Sequence, residues 1–319
     1  MTTHVIRQLA GKLGGLLLTL LLASIVIFFA VALTPGDPVT ALAGGVRPTP
    51  EMIEAIRAEH HLDDPVWMQY LRWVGGVLHG DLGDSYVYGT SVASLIAPRV
   101  GISALLVGYT VVLITIVGIG SGILAAVRRR RTEKAILLGT SLGVAMPTFV
   151  VAILLIWVFG RVLGWFPVYG AGDGFVDHLY HLTLPAVSLS VLYIAYMSRI
   201  TRGAIVAQQD AEHVDTARVR GLPRAHVFRR HVLLNASPPI LSVSGATIAG
   251  LIAVSAVAEQ AFGISGIGSL LTEAAARKDL PVVQVLSLLL VGVFVVLNAV
   301  VDVAVAIIDP DTVKRRSTA

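Results

Sequence analysis

Long stretches without charge dominate this chain, and they decide what it can become. Apolar runs occupy roughly residues 13–33, 101–127, 135–160, 182–198, 237–258 and 282–308. A helix rises about 1.5 Å per residue, so about 20 residues cross the hydrocarbon core of a bilayer. Inside lipid every backbone N–H and C=O must find a partner within the protein, which leaves the helix as the simplest solution for each run. Charged residues make up only 14% of the chain, against about 25% for a typical soluble domain. The expectation is an all-α integral membrane protein with six transmembrane helices.

The first run follows Arg7 and Lys12, as a signal peptide would. It is near 20 residues, longer than the roughly 7–15 of a signal core, so it reads as an uncleaved anchor. Orientation follows from the placement of Lys and Arg. With the N-terminus in the cytoplasm, inner segments hold 17 of the 24 basic residues, including Arg128 to Arg131, Lys134, Arg199, Arg202, Arg218, Arg220, Arg224, Arg229 and Arg230. Both termini are then expected inside. The boundaries read as a cytoplasmic N-terminus (1–12), a first span (13–33), an extracytoplasmic loop (34–100), a core with spans two to six (101–310) and a cytoplasmic tail (311–319). Within the core, 201–236 is the largest cytoplasmic loop.

The outer loop opens on TPGDP (34–38), whose prolines and glycine stop the first span. Thr49-Pro50-Glu51 has the form of a helix start: a capping hydroxyl, Pro at the first position, an acid in the first turn. Asp64-Pro65 reads as a second start. Beyond it Trp67, Tyr70, Leu71 and Val74 share a helix face. That face suits either a lid resting at the membrane surface or packing over the ends of the spans.

No catalytic set emerges. GTSLG (139–143) matches a hydrolase pattern but opens a membrane span rather than a strand–turn–helix. GISG (263–266) resembles an intramembrane serine protease motif, yet no histidine lies deep in a span to serve as its base. Small residues there serve close helix packing. Gly11-Lys12 lacks the earlier glycine of a phosphate-binding loop, the chain has no cysteine, and no metal-ligand spacing occurs. Basic runs such as 128–131 are explained by topology without nucleic acid.

The cytoplasmic stretch DTARVRGLPRAHVFRRHVLLNA (215–236) is different. Residues 211–220 are mostly helix formers. Gly221 is a natural left-handed stop, and Leu222-Pro223 turns the chain into a new helix. From Arg224, the residues Val227, Phe228, His231 and Val232 form a stripe one helix face wide. The result is a knuckle of two short helices, suited to docking in a groove of a soluble partner or to lying under the bilayer.

Asp215-Thr216-Ala217, followed after three residues by Gly221, resembles the EAA---G loop of ABC-importer permeases. RRHVLLNA (229–236), LDDPVWMQYLRWVGGVLHGDLGDS (62–85), MPTFVVAILLIWVFG (146–160), LGWFPVYG (163–170), HLTLPAVSLSVLYIAYMSRITR (181–202), DLPVVQ (279–284) and NAVVDVAVAIIDPD (298–311) resemble its dipeptide, oligopeptide and nickel branch, as does TPGDP. The long outer loop resembles the first, B-type, permease of that branch. Departures are Asp215 for the usual Glu, Thr216 for the first Ala, and His231 and Leu234 at the later Ile and Pro positions.

The resemblance implies a type I ABC importer fold and a permease subunit that carries peptides, most simply di- or oligopeptides, across a prokaryotic cytoplasmic membrane. It implies a second permease subunit, two ATPase subunits and an extracytoplasmic substrate-binding protein. ATP and Mg would be bound by the ATPase subunits and no cofactor by this chain. Asp215, Thr216, Ala217, Gly221, Leu222, Pro223, Val227 and Phe228 are the expected coupling residues, with Asp215 capping its helix or pairing with a base of the partner. Glu259, Asn298 and Asp302 are polar groups in or near spans, candidates for the translocation pathway or for structural hydrogen bonds. Nickel or another small solute is an alternative cargo. A self-contained ion-coupled transporter is the alternative mechanism, although no inverted repeat of the kind such proteins carry is evident.

Overall fold

The computed structural model describes residues 2–33, 39, 42, 49–59, 61–128 and 131–308, and these are almost entirely helical. The TPGDP turn, Arg129, Arg130 and the tail 311–319 lie outside the described residues. The helices are α1 (Thr2–Ala32), α2 (Pro50–Glu59), α3 (Val66–His79), α4 (Val92–Leu113), α5 (Gly120–Val127), α6 (Arg131–Ala145), α7 (Thr148–Leu155), α8 (Phe175–Gln209), α9 (Glu212–Val219), α10 (Arg224–Val227), α11 (Leu234–Ala261), α12 (Ile267–Arg277) and α13 (Leu280–Ile308). Wider π-helical turns at Ile114–Ile119, Ile156–Val162 and Phe228–Leu233 join or extend neighbouring helices.

Among the described residues, four stretches are long and apolar enough to span a membrane: Gly14–Ala32, Val92–Val127, Phe175–Gln209 and Leu280–Val301. Two bent pairs bring the number to six if each counts as one span. The run 135–160, expected as a single helix, is divided: Arg131–Ala145 and Thr148–Val162 meet at 103°. Pro147 is the reason. Its fixed φ of −60° sits with an extended ψ of 142°, and a proline cannot supply the N–H that would continue the first helix. The pair Arg224–Ile248 and Gly250–Ala261 bends by a milder 44°. By contrast α8 runs on well beyond the apolar stretch 182–198, to about 52 Å in all, because Arg199 to Gln209 are adequate helix formers.

The chain divides into two compact units, residues 1–103 with 265–296 and residues 104–264 with 297–319. In the first, Val92, Ile96, Ile267, Leu270, Ala274, Val282, Val285 and Leu286 form the core. The expected helix start at Thr49 is present, with the Met52 amide donating to the Thr49 hydroxyl at 3.3 Å. The Glu51 carboxyl is held below its ordinary pKa by backbone amide hydrogen bonding and then by Thr49. Pro65 caps α3 as expected, although Asp64 turns away from the backbone and pairs with Arg72 at 2.5 Å. The aromatic face of α3 splits. Tyr70 and Trp73 pack on Phe28 of α1, at 5.4 and 5.7 Å between ring centres, and the Tyr70 hydroxyl meets Ser24 at 2.9 Å. Trp67 and Leu71 stay exposed.

In the second unit α8 is the central post. Gly122 of α5 lies so close that a Cβ there would come within 2.6 Å of both the Ser198 carbonyl and the Thr201 Cβ. At Gly143 of α6 a Cβ would meet that of Ala195 at 3.3 Å. The small residues of GTSLG therefore serve helix contact. Its Ser141 donates to the Leu137 carbonyl at 2.8 Å and receives Arg199 at 2.7 Å, in the manner of a structural hydroxyl.

Candidate functional site

Residues 211–236 form a knuckle built by local rules. The helix α9 begins after Ala211, whose backbone is extended, and presents Val214 and Ala217 inward while Asp215, Thr216 and Arg218 face out. It ends at Gly221, whose φ is +74°. The Gly221 amide donates to the Arg218 carbonyl and the Leu222 amide to that of Ala217, at 3.0 and 3.3 Å. This paired arrangement closes the carbonyls left open at a helix end. Pro223, with extended ψ, then launches α10.

The second helix is not a separate short piece, as the sequence suggested. From Arg224 it passes through the π turn at 228–233 into α11 without a break. The expected stripe is present in its burial: Val227 and Val232 are buried, Phe228 and His231 half-buried, Arg229 and Arg230 exposed. The wider turn carries the stripe, since it brings residues five apart onto one face. At the tip between the helices, Val219 is 88% exposed and Leu222 is 37% exposed.

Asp215 does not cap its helix. Its carboxylate accepts from Arg218 one turn on, at 2.9 Å and well exposed. A brace that sequence reasoning missed holds the two arms together: His213 Nε2 donates to the His231 carbonyl at 3.0 Å, and Asn235 Nδ2 donates to the same oxygen at 2.7 Å. Eighteen residues separate His213 from His231, and no local pattern marks such a pair.

The pathway candidates lie on α11 and α13. Glu259 is fully buried near the end of α11 and engaged within the chain. Asn298 is half-buried on α13 and likewise engaged. The backbone at Asp302 continues the same helix, and its side chain lies outside what the structure describes.

Comparison with known proteins decides the family. Residues 118–314 match the binding-protein-dependent transport system inner membrane component, and residues 1–104 match the N-terminal part of such membrane components. The chain belongs to this permease family. It is 36% identical over 294 residues to the oligopeptide transport system permease protein OppB of Escherichia coli, covering 92% of this chain and 94% of that one. It is 33% identical over 314 residues to a protein of Sinorhizobium fredii named "Probable peptide ABC transporter permease protein y4tP", covering 97% and 99%. A chain from inward-facing structures of the MetNI methionine ABC transporter superposes with a TM-score of 0.54 at 15% identity, over 67% of this chain and 96% of that one. An amino acid ABC transporter crystallised with histidines gives 0.51 at 16%, over 67% and 92%. The fold of the permease is thus that of known ABC transporter membrane proteins, and the chain is a membrane protein.

One further group in the permease has no local signature in the sequence. Asp279, wholly buried, accepts the Ser85 hydroxyl and the backbone amides of Tyr86 and Val87, the latter two at 3.1 and 3.4 Å. Burial pushes the Tyr86 phenol above its ordinary pKa, and the Asp279 charge adds to the effect. GDLGDS and DLPVVQ each stand out as blocks, but nothing in either one points to the other.

Proposed function

We propose that this permease is one transmembrane subunit of an ATP-driven importer of peptides, and that residues 211–236 are its lever to an ATPase subunit. The observation that carries the reading is the knuckle: a rigid corner whose inner stripe is buried and whose tip leaves Val219 and Leu222 uncovered beside Arg218, Arg220 and Arg224. A rigid apolar tip with a basic rim is what a groove on a soluble subunit can grip. Identity to named peptide permeases over more than nine-tenths of the chain supports peptides as the cargo.

In this reading Lys and Arg hold 201–236 and both termini in the cytoplasm. Two ATPase subunits bind ATP and Mg, a second permease completes the pore, and an extracytoplasmic binding protein delivers the peptide. Closure of the ATPase pair pushes on the tip. Gly221 sets the angle between the arms, Ala217 and Leu222 close the corner, Pro223 starts the second arm, and Val227 and Phe228 seat it. Because α10 continues into α11, a push on the knuckle is transmitted to a span as rigid-body motion. Glu259, Asn298 and Asp302 are proposed to act within the spans that this motion rearranges.

Co-expression with the neighbouring transport subunits tests the reading. A stable complex with ATPase chains and ATP-dependent uptake of a labelled tripeptide into proteoliposomes are expected. Uptake by this chain alone, or uptake of nickel without peptide, would overturn it.

A further inference from the structure

The first unit holds a cavity of about 580 Å³, within the roughly 300–1,000 Å³ typical of small-molecule sites. Its position is informative. Phe28, Val31 and Ala32 wall it from the last turn of the span Gly14–Ala32, and Leu280, Pro281 and Gln284 wall it from the first turn of the span Leu280–Val301. The end of one span and the start of another, in one unit, meet at the cavity. That is the level at which a bilayer gives way to water, and Trp73 and Tyr86, also in the lining, are residue types that gather there.

Both signs of charge line it: Arg57 and Arg72 share it with Asp63 and Asp84, and Arg72, held through Nη1 by Asp64 at 2.5 Å, has its other guanidinium nitrogens to offer. Arg57 and Asp63 already approach to 3.5 Å, but both are well exposed and loosely paired, so a ligand can draw on each. A ligand of one sign gains from two of these groups and loses to the other two. A zwitterion gains from all four: an anionic phosphate can take the forked guanidinium donors, and an ammonium can donate to the carboxylates. A polar group also waits unused. Gln284 is only 8% exposed, lines the cavity, and has no hydrogen bond to the described residues. Its amide can donate to a ligand oxygen or accept a ligand N–H.

We propose that this cavity is a binding site for a zwitterionic phospholipid head group of the phosphoethanolamine type. The phosphate lies against Arg57 and Arg72, the ammonium against Asp63 and Asp84, and Gln284 hydrogen-bonds the glycerol ester region at the apolar wall. The acyl chains run along α1, the helix that walls the cavity, where Leu18, Leu22 and Val26 are exposed. The lipid thereby ties the outer loop to the ends of two spans.

Native mass spectrometry of the full-length chain in its transport complex tests the proposal. The complex is delipidated in detergent and offered dioleoyl-phosphatidylethanolamine, dioleoyl-phosphatidylglycerol or a tripeptide. Phosphatidylethanolamine is expected to be retained in preference to phosphatidylglycerol. Gln284→Leu and Arg57→Gln are each expected to weaken retention on the order of fivefold, the worth of about one hydrogen bond, whereas Ser141→Ala leaves it unchanged. Gln284→Leu keeps the volume of an apolar wall, so it decides the matter if the arginine variant misfolds. Equal retention of the two lipids overturns the proposal, as do undiminished retention by Gln284→Leu and displacement of the lipid by the tripeptide.

Discussion

Ser85 donates its hydroxyl to the buried carboxylate of Asp279, a residue 194 positions further along the chain. The Tyr86 and Val87 amides point at the same carboxylate, and Ser85 Oγ in turn accepts the Tyr88 amide at 2.9 Å. One acidic side chain thus organises the turn at 84–91 and secures it to the start of α13. Replacing Asp279 by Ala takes the acceptor from the Ser85 hydroxyl and the Tyr86 amide, while the Val87 amide keeps Ser85 Oγ at 3.3 Å, and a loss of about 2 kcal/mol is expected. Ser85→Ala removes one of them and is expected to cost about 1 kcal/mol. Thermal unfolding in detergent measures both, and the double variant should lose less than the sum because the groups share one network.

The Tyr86 phenol sits beside that carboxylate with its pKa raised. A group with a raised folded pKa stabilises the fold below its unfolded value, about 10, and the stabilisation is lost as pH rises through the folded one. The turn at 84–91 should therefore loosen in strong base. Limited proteolysis between about pH 9 and pH 11 should show a rise in cleavage near residues 80–90 that Tyr86→Phe suppresses.

Gly221→Val is expected to insert normally and to fail in coupling. The φ of +74° at this corner disfavours a β-branched side chain by about 1 kcal/mol or more, and relief of that strain re-aims the second arm. Under the proposed function, ATPase activity persists without matching uptake. Gly221→Asn, which tolerates the left-handed region, should restore part of the coupling. Full substrate-stimulated uptake by Gly221→Val would count against the knuckle as the lever.

Gly122→Leu is expected to separate α5 from α8. Even a Cβ would come within 2.6 Å of the Ser198 carbonyl, and overpacking of this kind costs about 1–3 kcal/mol. A lowered melting temperature together with weakened crosslinking between cysteines placed on the two helices would register it. Gly120→Ala, with open space at its Cβ, is the control that should change neither.

Much of this permease is settled by relations between near neighbours in the chain. Uncharged runs of about 20 residues make it a helical membrane protein, since lipid offers backbone groups no other partner. The Thr49 cap, the Gly221 stop and the start after Pro223 depend on torsions and hydrogen bonds within a few residues, so each is legible in the sequence itself. Tertiary structure alone decides the rest. Pro147 permits a break in the run 135–160 but does not set its 103° angle, which depends on what the two helices pack against. The continuity of α10 with α11 depends on a π turn that keeps Val227 and Val232 inward, a packing outcome without a local signature. The His213 brace and the Ser85–Asp279 clasp join residues 18 and 194 positions apart. Nothing in either local stretch marks its partner, because such pairs exist only once the fold has brought them into hydrogen-bonding reach.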